Sequence, residues 1–587
     1  MRFFLGLTMW LLLPLSALAS DVERTVLVVG KESGTETVSD TDDGFRSQFS
    51  YNDRGRGEEL DVRWKVDDAG LLTEFDASGN DYMKAPISEK FRLVDGEATW
   101  TAGGKDGSET LAKPAFYVPT NAPPELLATL VRALLQAPQH RLALLPSGES
   151  TLTEAGRLDV QTSKGKVTIS HYRINGLGFT AQSVWLDAAG NTVANASRWL
   201  TSIGATYRSA LPKLLAAQED ADNTWSKDVA LRLAHGANGD LLIRNVRLFD
   251  PRDLSVTRNS SVLVRGERVI RIGPDASIGA TADAEIIDGK GRFLMPGLWD
   301  NHQHFSGVDG LLDLANGVTS ARDMANDNDG LPARVARFDA GTEIGPRVLM
   351  SGIIDGPGPF AGPTPMLADT PAKAIQFVDW YADHGYRQIK IYSSLPPELV
   401  PVIADRAHER GLRVSGHVPA TMSARQFIEA GADEMQHINF VVLNFLADRV
   451  KETRNLKRFT EVAAHAREYP PERIEVRDFI ALMKKNHTAI DPTVGIYGDM
   501  FSGNPDAVPA ALVDVAPRFP PQVQRVLKTG AIVAPKGEEA AYREALPALL
   551  ALIKALHDAG VPILAGTDAM AGYSLHHELA MYAKAGI

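Results

Sequence analysis

Eight short apolar runs in the second half of the chain constrain its fold more than any other feature of the sequence. They alternate with helical runs, which is the pattern of parallel strands joined by crossover helices. Eight strands close such a sheet, so we predict an α/β fold with a TIM-type (β/α)8 barrel. The predicted strands are Leu298–His304, Val318–Asp323, Val348–Ile353, Gln388–Tyr392, Arg413–His417, Glu434–Ile438, Ala489–Thr493 and Pro562–Thr567. The predicted helices include Pro371–His384, Pro397–Arg410, Ala424–Ala430 and Ala540–Ala559.

Side chains suited to metal chemistry fall at or just after the ends of these predicted strands. They are His302, His304, Lys390, His417, His437 and Asp568. Side chains at the carboxyl ends of barrel strands converge on one mouth, so these residues would meet in space. His302 and His304 are two residues apart on one strand and therefore point to the same face. Because neutral imidazole suits zinc and similar ions, the pattern predicts a metal site.

Lys390 lies inside an apolar run, Gln388–Tyr392, where an ammonium ion would be costly. Burial lowers the pKa of a lysine and frees its neutral amine. Such an amine can capture carbon dioxide as a carbamate, and two cations would stabilise that anion as a bridge between them. Two other readings stay open: a side chain that snorkels to the barrel rim, and an ion pair with Asp568.

Asp568 and Tyr392 are the candidate catalytic residues. Asp568 follows the eighth predicted strand, where a carboxylate can bind a metal and accept a proton from bound water. The alternative is an N-cap for the following helix. Tyr392 shares the face of Lys390 and could donate to a developing oxyanion, or it could be a packed rim aromatic. Arg322 and Asp323 are further candidates for substrate contact.

The residues resemble the amidohydrolase superfamily, in its group of imidazolonepropionase-like and Xaa-Pro dipeptidase-like enzymes. The resemblance covers Leu241 to Ile587 and rests on MPGLWDNHQH (295–304), GVTSARD (317–323), IKIY (389–392), SGHV (415–418), QHI (436–438) and GTDA (566–569). It implies two divalent metal ions, with zinc as the first choice. By this likeness His302, His304 and Asp568 hold the first ion. His417 and His437 hold the second, and carboxylated Lys390 bridges the pair.

The favoured function is a metal-dependent hydrolase that cleaves an amide of the dipeptide or N-acyl amino acid type. A metal-bridging hydroxide would attack the carbonyl carbon, and Asp568 would pass the proton to the leaving amine. One alternative is a mononuclear hydrolase of a cyclic amide, lactone or phosphoester. Another is a non-catalytic binding protein on the same scaffold. The sequence leaves the substrate, the metal and the oligomeric state open, and a homo-oligomer is compatible with it.

The rest of the chain divides into three parts. Residues 1–19 read as a signal peptide, with Arg2, the apolar run Phe3–Leu15 and small residues before Ser20. Residues 22–235 are predicted to form a β-rich domain of unknown function, with a helix at Glu125–Leu135 and a tight hairpin at Asn175-Gly176. Residues 241–295 are predicted to supply β-sandwich strands. The barrel, 296–587, is expected to be C-terminally incomplete, with little room for an eighth helix and with His576 and His577 in a loop.

Composition limits the partners and the compartment. The net charge of −12 argues against nucleic acid as a partner, because phosphates demand a basic surface. The chain has no cysteine, so disulfides and thiolate metal ligands are excluded. Export without disulfides indicates a periplasmic or secreted protein, and we expect no membrane anchor after signal cleavage. The favoured function implies a small-molecule substrate.

Overall fold

The chain divides into two units, each with its own core. The computed structural model describes residues 21–163, 165–501, 507–528 and 531–587. The first unit contains the described residues up to Asn52, then Gly57–Gly176 and Ala181–Leu214; the second contains Asp53–Arg56, Leu177–Thr180 and Leu215–Ile587. The division therefore falls at Leu214, earlier than residue 235. The predicted signal peptide lies outside the described residues. Among those residues, no helix has the length and apolar character needed to cross a bilayer.

The first unit is built on one sheet of fifteen strands. The strands are β1 (Val22–Val28), β2 (Lys31–Thr41), β3 (Gly44–Tyr51), β4 (Glu59–Val66), β5 (Leu72–Asn80), β6 (Pro86–Val94), β7 (Glu97–Ala102), β8 (Lys105–Thr110), β9 (Ala115–Tyr117), β10 (Arg141–Leu145), β11 (Glu149–Thr162), β12 (Gly165–Asn175), β13 (Gln182–Asp187), β14 (Thr192–Asn195) and β15 (Leu200–Gly204). Neighbouring strands are antiparallel, except for the parallel pair β9 and β10. The order runs from β8 back to β1, then from β15 back to β9.

Helix α1 (Glu125–Gln136) buries Leu126, Leu130 and Leu134 on one face, as spacing of four residues requires. A second helix, α2 (Leu211–Leu233), follows the sheet. A hairpin does follow Asn175, but its loop is longer than the predicted tight turn at Asn175-Gly176. Strand β12 ends at Asn175 and β13 begins at Gln182, so six residues connect them.

The predicted β-sandwich before the barrel is a single five-stranded sheet in the described part of the chain. Its strands are β16 (Leu241–Asp250), β17 (Ser255–Arg265), β18 (Arg268–Pro274), β19 (Glu285–Asp288) and β20 (Phe293–Leu294). Strand β16 pairs with β17, β19 and β20, so the strands join one layer rather than two. The apolar residues were read correctly as strands, but their alternation does not show how many sheets they form.

The remaining strands are parallel and alternate with helices. They are β21 (Leu298–Gln303), β22 (Val318–Asp323), β23 (Arg347–Ile354), β24 (Gln388–Ile391), β25 (Arg413–Gly416), β26 (Glu434–Gln436) and β27 (Ala489–Asp491). The helices are α3 (Asp309–Ala315), α4 (Gly330–Asp339), α5 (Pro371–Asp383), α6 (Leu399–Glu409), α7 (Ala424–Glu429), α8 (Asn439–Phe445), α9 (Lys457–His465), α10 (Ile474–Lys485), α11 (Val494–Met500), α12 (Pro521–Val526), α13 (Glu539–Asp558) and α14 (Tyr573–Ala585).

Backbone hydrogen bonds close these strands into a ring. Asp433 N donates to Val414 O, which joins β26 to β25. The predicted eighth strand, Pro562–Thr567, bridges β27 on one side through Leu564 N and Ile490 O, and its Ala565 O accepts from Asn301 N of β21 on the other. It is not a regular strand, because the Asp300 carboxylate accepts from both the backbone N and the hydroxyl of Thr567.

The C-terminal end differs from the prediction. Helix α14 spans 13 residues after the eighth strand position, so an eighth helix is present. His576 and His577 therefore lie on a helix rather than in a loop. The gap between β26 and β27 contains the helices α8 to α10.

Candidate metal centre

The structure brings the six predicted metal ligands together at the carboxyl ends of the barrel strands. His302 lies within β21; His304, His417 and His437 follow β21, β25 and β26, and Lys390 lies within β24. The Nε2 atoms of His417 and His437 lie 3.0 Å apart, and Lys390 Nζ lies 3.2 Å from His302 Nε2. The Asp568 carboxylate lies beside three of the rings. Its Oδ1 is 3.4 Å from His304 Nε2 and 3.9 Å from His302 Nε2, and its Oδ2 is 3.9 Å from His437 Nε2. Imidazole nitrogens and carboxylate oxygens are known metal-ligand types, and His302, His437 and Asp568 could hold one ion.

The other nitrogen of each imidazole has its own partner. These pairs are His302 Nδ1 with Asp491 Oδ2, 2.7 Å; His304 Nδ1 with Ala325 O, 2.7 Å; His417 Nδ1 with Ser393 Oγ, 3.1 Å; and His437 Nδ1 with Thr493 Oγ1, 2.8 Å. A carbonyl oxygen can only accept, so His304 Nδ1 carries a proton. Partners of this kind fix ring orientation and tautomer in metal sites. All four rings thus aim Nε2 at the centre.

Burial keeps most of these rings neutral. It lowers the pKa of His302 and His417 well below the usual range, and it lowers the pKa of His437 to about 3. His304 is 38% exposed; burial acts to lower its pKa, but its hydrogen bond with Asp568 outweighs this and raises the pKa. Two neutral nitrogens 3.0 Å apart, as in His417 and His437, require a proton or a cation between them. This donor set fits divalent cations.

Lys390 is 2% exposed, so the snorkelling reading is wrong. Among the described residues it forms no ion pair, with Asp568 or any other carboxylate. Burial lowers the pKa of its ammonium group, which favours the neutral amine. Its Nζ points at the imidazole cluster rather than at the rim, as a lysine that bridges two ions would require.

Asp568 does not cap the following helix, since α14 begins at Tyr573 with Gly572 as its N-cap. Its backbone N donates to His302 O at 2.8 Å, which ties the eighth segment to the first strand. Asp568, His437 and Thr493 have φ values of 50°, 70° and 44°. Left-handed backbone at non-glycine residues costs about 1 kcal/mol or more each and clusters at functional sites. Two of these three residues, Asp568 and His437, are predicted ligands, and Thr493 contacts His437.

Asp491 is a site residue that the sequence analysis missed. It is fully buried in β27, and it lies against both His302 and Gly566. A Cβ on Gly566 would lie 2.4 Å from Asp491 Oδ1 and 2.7 Å from His302 Cβ, so only glycine fits beside this pair. Asp491 could have been singled out by the reasoning applied to Lys390, because it is an ionisable residue inside an apolar strand.

We expect Asp491→Asn to weaken metal binding about 10- to 100-fold, the usual cost of losing an outer-shell partner. The amide keeps the shape but is a weaker acceptor for the Nδ1 proton of His302. Metal affinity, measured by competition with a chelator of known strength, checks this. Asp558→Asn, an exposed carboxylate paired with Lys554, is the control. Equal affinities in the two variants would contradict the role of Asp491.

Tyr392 follows β24 directly and lies over the histidine cluster. Its ring stacks on His417 with centroids 4.2 Å apart, and its hydroxyl accepts from Arg54 Nη1 at 2.9 Å. Burial acts to raise the pKa of Tyr392, but the charges of Arg54 and Arg458 outweigh it and lower the pKa to about 8. Tyr392 is therefore packed against the cluster, and its hydroxyl accepts from a charged donor.

Arg322 and Asp323 do not face the mouth. Arg322 is buried and pairs with both oxygens of Glu434, each at 2.7 Å. Asp323 is fully buried and accepts from the backbone N of Phe305. His576 Nε2 lies 2.8 Å from Asn316 O, away from the cluster. These residues support the barrel rather than the site, so the expectation of substrate contact for Arg322 and Asp323 is wrong.

Comparison with known proteins gives short matches. A stretch of 81 residues is 36% identical to adenine deaminase of Ruegeria sp. (strain TM1040), covering 13% of this chain and 14% of that enzyme. A stretch of 263 residues is 24% identical to ochratoxinase of Aspergillus niger, covering 33% of this chain and 53% of that enzyme. The solved structure of a Xaa-Pro dipeptidase with bound methionine is 17% identical, with a TM-score of 0.42, covering 59% of this chain and 84% of that one. No protein-family model matches the chain. The chain spans about half the length, or less, of these curated relatives.

The barrel and its cluster of histidines, lysine and aspartate place the protein in a structural class. Proteins of this class are α/β chains with a polar site at the carboxyl ends of parallel strands. The matched relatives are enzymes that act on carbon–nitrogen bonds, and they belong to the amidohydrolase superfamily. Part of the chain is thus similar to members of that superfamily, in agreement with the resemblance found in its motifs. The superfamily is generally metal-dependent, in keeping with the donor set at the barrel mouth.

Proposed function

We propose that the protein is a metal-dependent hydrolase that cleaves an amide of the dipeptide or N-acyl amino acid type. Two divalent cations would be held by the four histidines, Asp568 and a carbamate on Lys390. Carbamate formation joins the neutral amine to carbon dioxide and releases one proton. The observation that carries the proposal is one cluster of four imidazoles, a buried lysine and a carboxylate, in which the shortest separations between functional atoms are 3.0–3.9 Å.

Divalent cations bound there would lower the pKa of a water molecule and polarise the scissile carbonyl. Asp568 would accept the proton of that water and pass it to the leaving nitrogen. It is 28% exposed, so substrate can reach it. Tyr392 would donate its O–H to the carbonyl oxygen as negative charge develops. His304 is also partly exposed, and its Nε2 lies 3.4 Å from Asp568 Oδ1, so both groups could serve the same cation.

The test is metal analysis of the purified protein together with hydrolysis of dipeptide and N-acyl amino acid libraries. We expect about two metal ions per chain, loss of hydrolysis after chelation, and recovery when the metal is returned. Amide hydrolysis that survives complete metal removal would contradict the proposal. One ion per chain with activity only on lactones, cyclic amides or phosphoesters would favour the mononuclear alternative instead.

A further inference from the structure

The turn Asp53–Arg56 belongs to the barrel unit and lies at Tyr392. Arg54 donates from Nη1 to Tyr392 Oη at 2.9 Å, and its guanidinium carbon lies 5.7 Å from the centre of the tyrosine ring. This turn carries no sequence pattern that links it to the barrel, which it precedes by more than 200 residues. It has no counterpart among the motifs that carry the superfamily resemblance.

The turn is built to hold Arg54 in place. Asp53 accepts from Arg54 Nε at 2.8 Å and from Nη2 at 3.2 Å, and it also pairs with Arg56 at 3.0 Å. The backbone groups of Asp53 and Arg56 bond each other in both directions. Gly55 has φ +85°, and a Cβ there would lie 3.3 Å from the Cβ of Asn455. The Arg54 side chain is 11% exposed.

The chemistry of the pair fixes the direction of donation. A guanidinium has donors only, so Tyr392 Oη must use a lone pair to accept from Arg54. The phenolic proton is then left to donate to another acceptor. A charged donor on the oxygen also polarises the O–H bond and strengthens its donation. We propose that Arg54 is a positioning residue that orients Tyr392 to donate its proton towards the substrate. This rests on the proposed function, in which Tyr392 stabilises the oxyanion.

A double-mutant cycle tests the inference. Tyr392→Phe should lower kcat about 10²- to 10³-fold, the cost of losing one oxyanion donor. Arg54→Ala should lower kcat about 10- to 100-fold with little change in KM, since a charged hydrogen bond is lost. In the Tyr392→Phe background, Arg54→Ala should have no further effect. Arg54→Lys keeps one charged donor and should recover part of the loss. Arg46→Ala, which breaks the pair between Arg46 on β3 and Asp61 on β4, should leave kcat unchanged.

Two further measurements separate this inference from the proposed function and from a structural role. Affinity for inorganic phosphate, a tetrahedral anion, is measured on the metal-loaded protein by calorimetry. It should weaken in either single variant and no further in the double, whether or not any amide proves to be a substrate. Metal content and unfolding temperature should not change. Additive losses in the cycle, unchanged kcat and phosphate affinity in Arg54→Ala, or a fall in metal content that accounts for its defect would overturn the inference.

Discussion

Lys390→Ala should leave the protein with about one metal ion per chain or fewer and should lower amide hydrolysis about 10³-fold or more. The side chain is buried among the imidazoles and is the group proposed to join the two cations as a carbamate. Without it, the cations lose a shared anionic ligand and repel each other. A loss of several kcal/mol of Lewis-acid stabilisation corresponds to a rate loss of this size. Metal content by mass spectrometry and initial rates check the result.

Lys373→Ala is the matched control, because Lys373 is an exposed lysine on α5 that pairs with Asp369 at the surface. It should keep both metal and rate. Mass spectrometry under native conditions should also find one carbon dioxide adduct in the wild type and none in Lys390→Ala. Unchanged metal content in Lys390→Ala, with hydrolysis intact, would exclude the bridging role of Lys390.

The candidate ligands could be predicted because strand ends leave a local pattern in the sequence. Short apolar runs marked the barrel strands, and seven of the eight appear as regular strands within one or two residues of their predicted bounds. His417 and His437 follow β25 and β26 closely, so finding those strands placed both rings. Lys390 could be singled out because its apolar neighbours in the sequence are enough to show that an ammonium ion there would be costly to bury.

The parts that were missed depend on contacts between distant segments. Asp491 reaches His302 across 189 positions, and Arg54 reaches Tyr392 across 338. The single sheet formed by β16 to β20 likewise depends on pairing partners, which alternation of apolar residues does not specify. The eighth strand position is irregular because a side chain, Asp300, takes the hydrogen bond of Thr567 N that a neighbouring strand would otherwise accept.

Asp568→Asn should lower kcat about 10²- to 10⁴-fold while KM stays within a few-fold of the wild type, the effect of losing a general acid or base. An amide oxygen can still coordinate a metal, but the group cannot take a proton from water or return one to the leaving nitrogen. An interaction made only in the transition state lowers kcat and kcat/KM equally. Steady-state kinetics and metal analysis on the same preparation measure both parts.

The carboxylate of Asp568 is surrounded by His302, His304 and His437, so its loss must be separated from a collapse of the cluster. Burial acts to raise the pKa of Asp568, but the nearby histidines, His302 first, lower it well below the usual range. The wild-type group is therefore ionised and ready to accept a proton at neutral pH. Asp568→Asn should keep the metal content and the unfolding temperature of the wild type. The control is Asp369→Asn, at an exposed carboxylate two residues before α5, and it should also keep the wild-type rate. A variant that retains the wild-type kcat would show that proton transfer runs through another group.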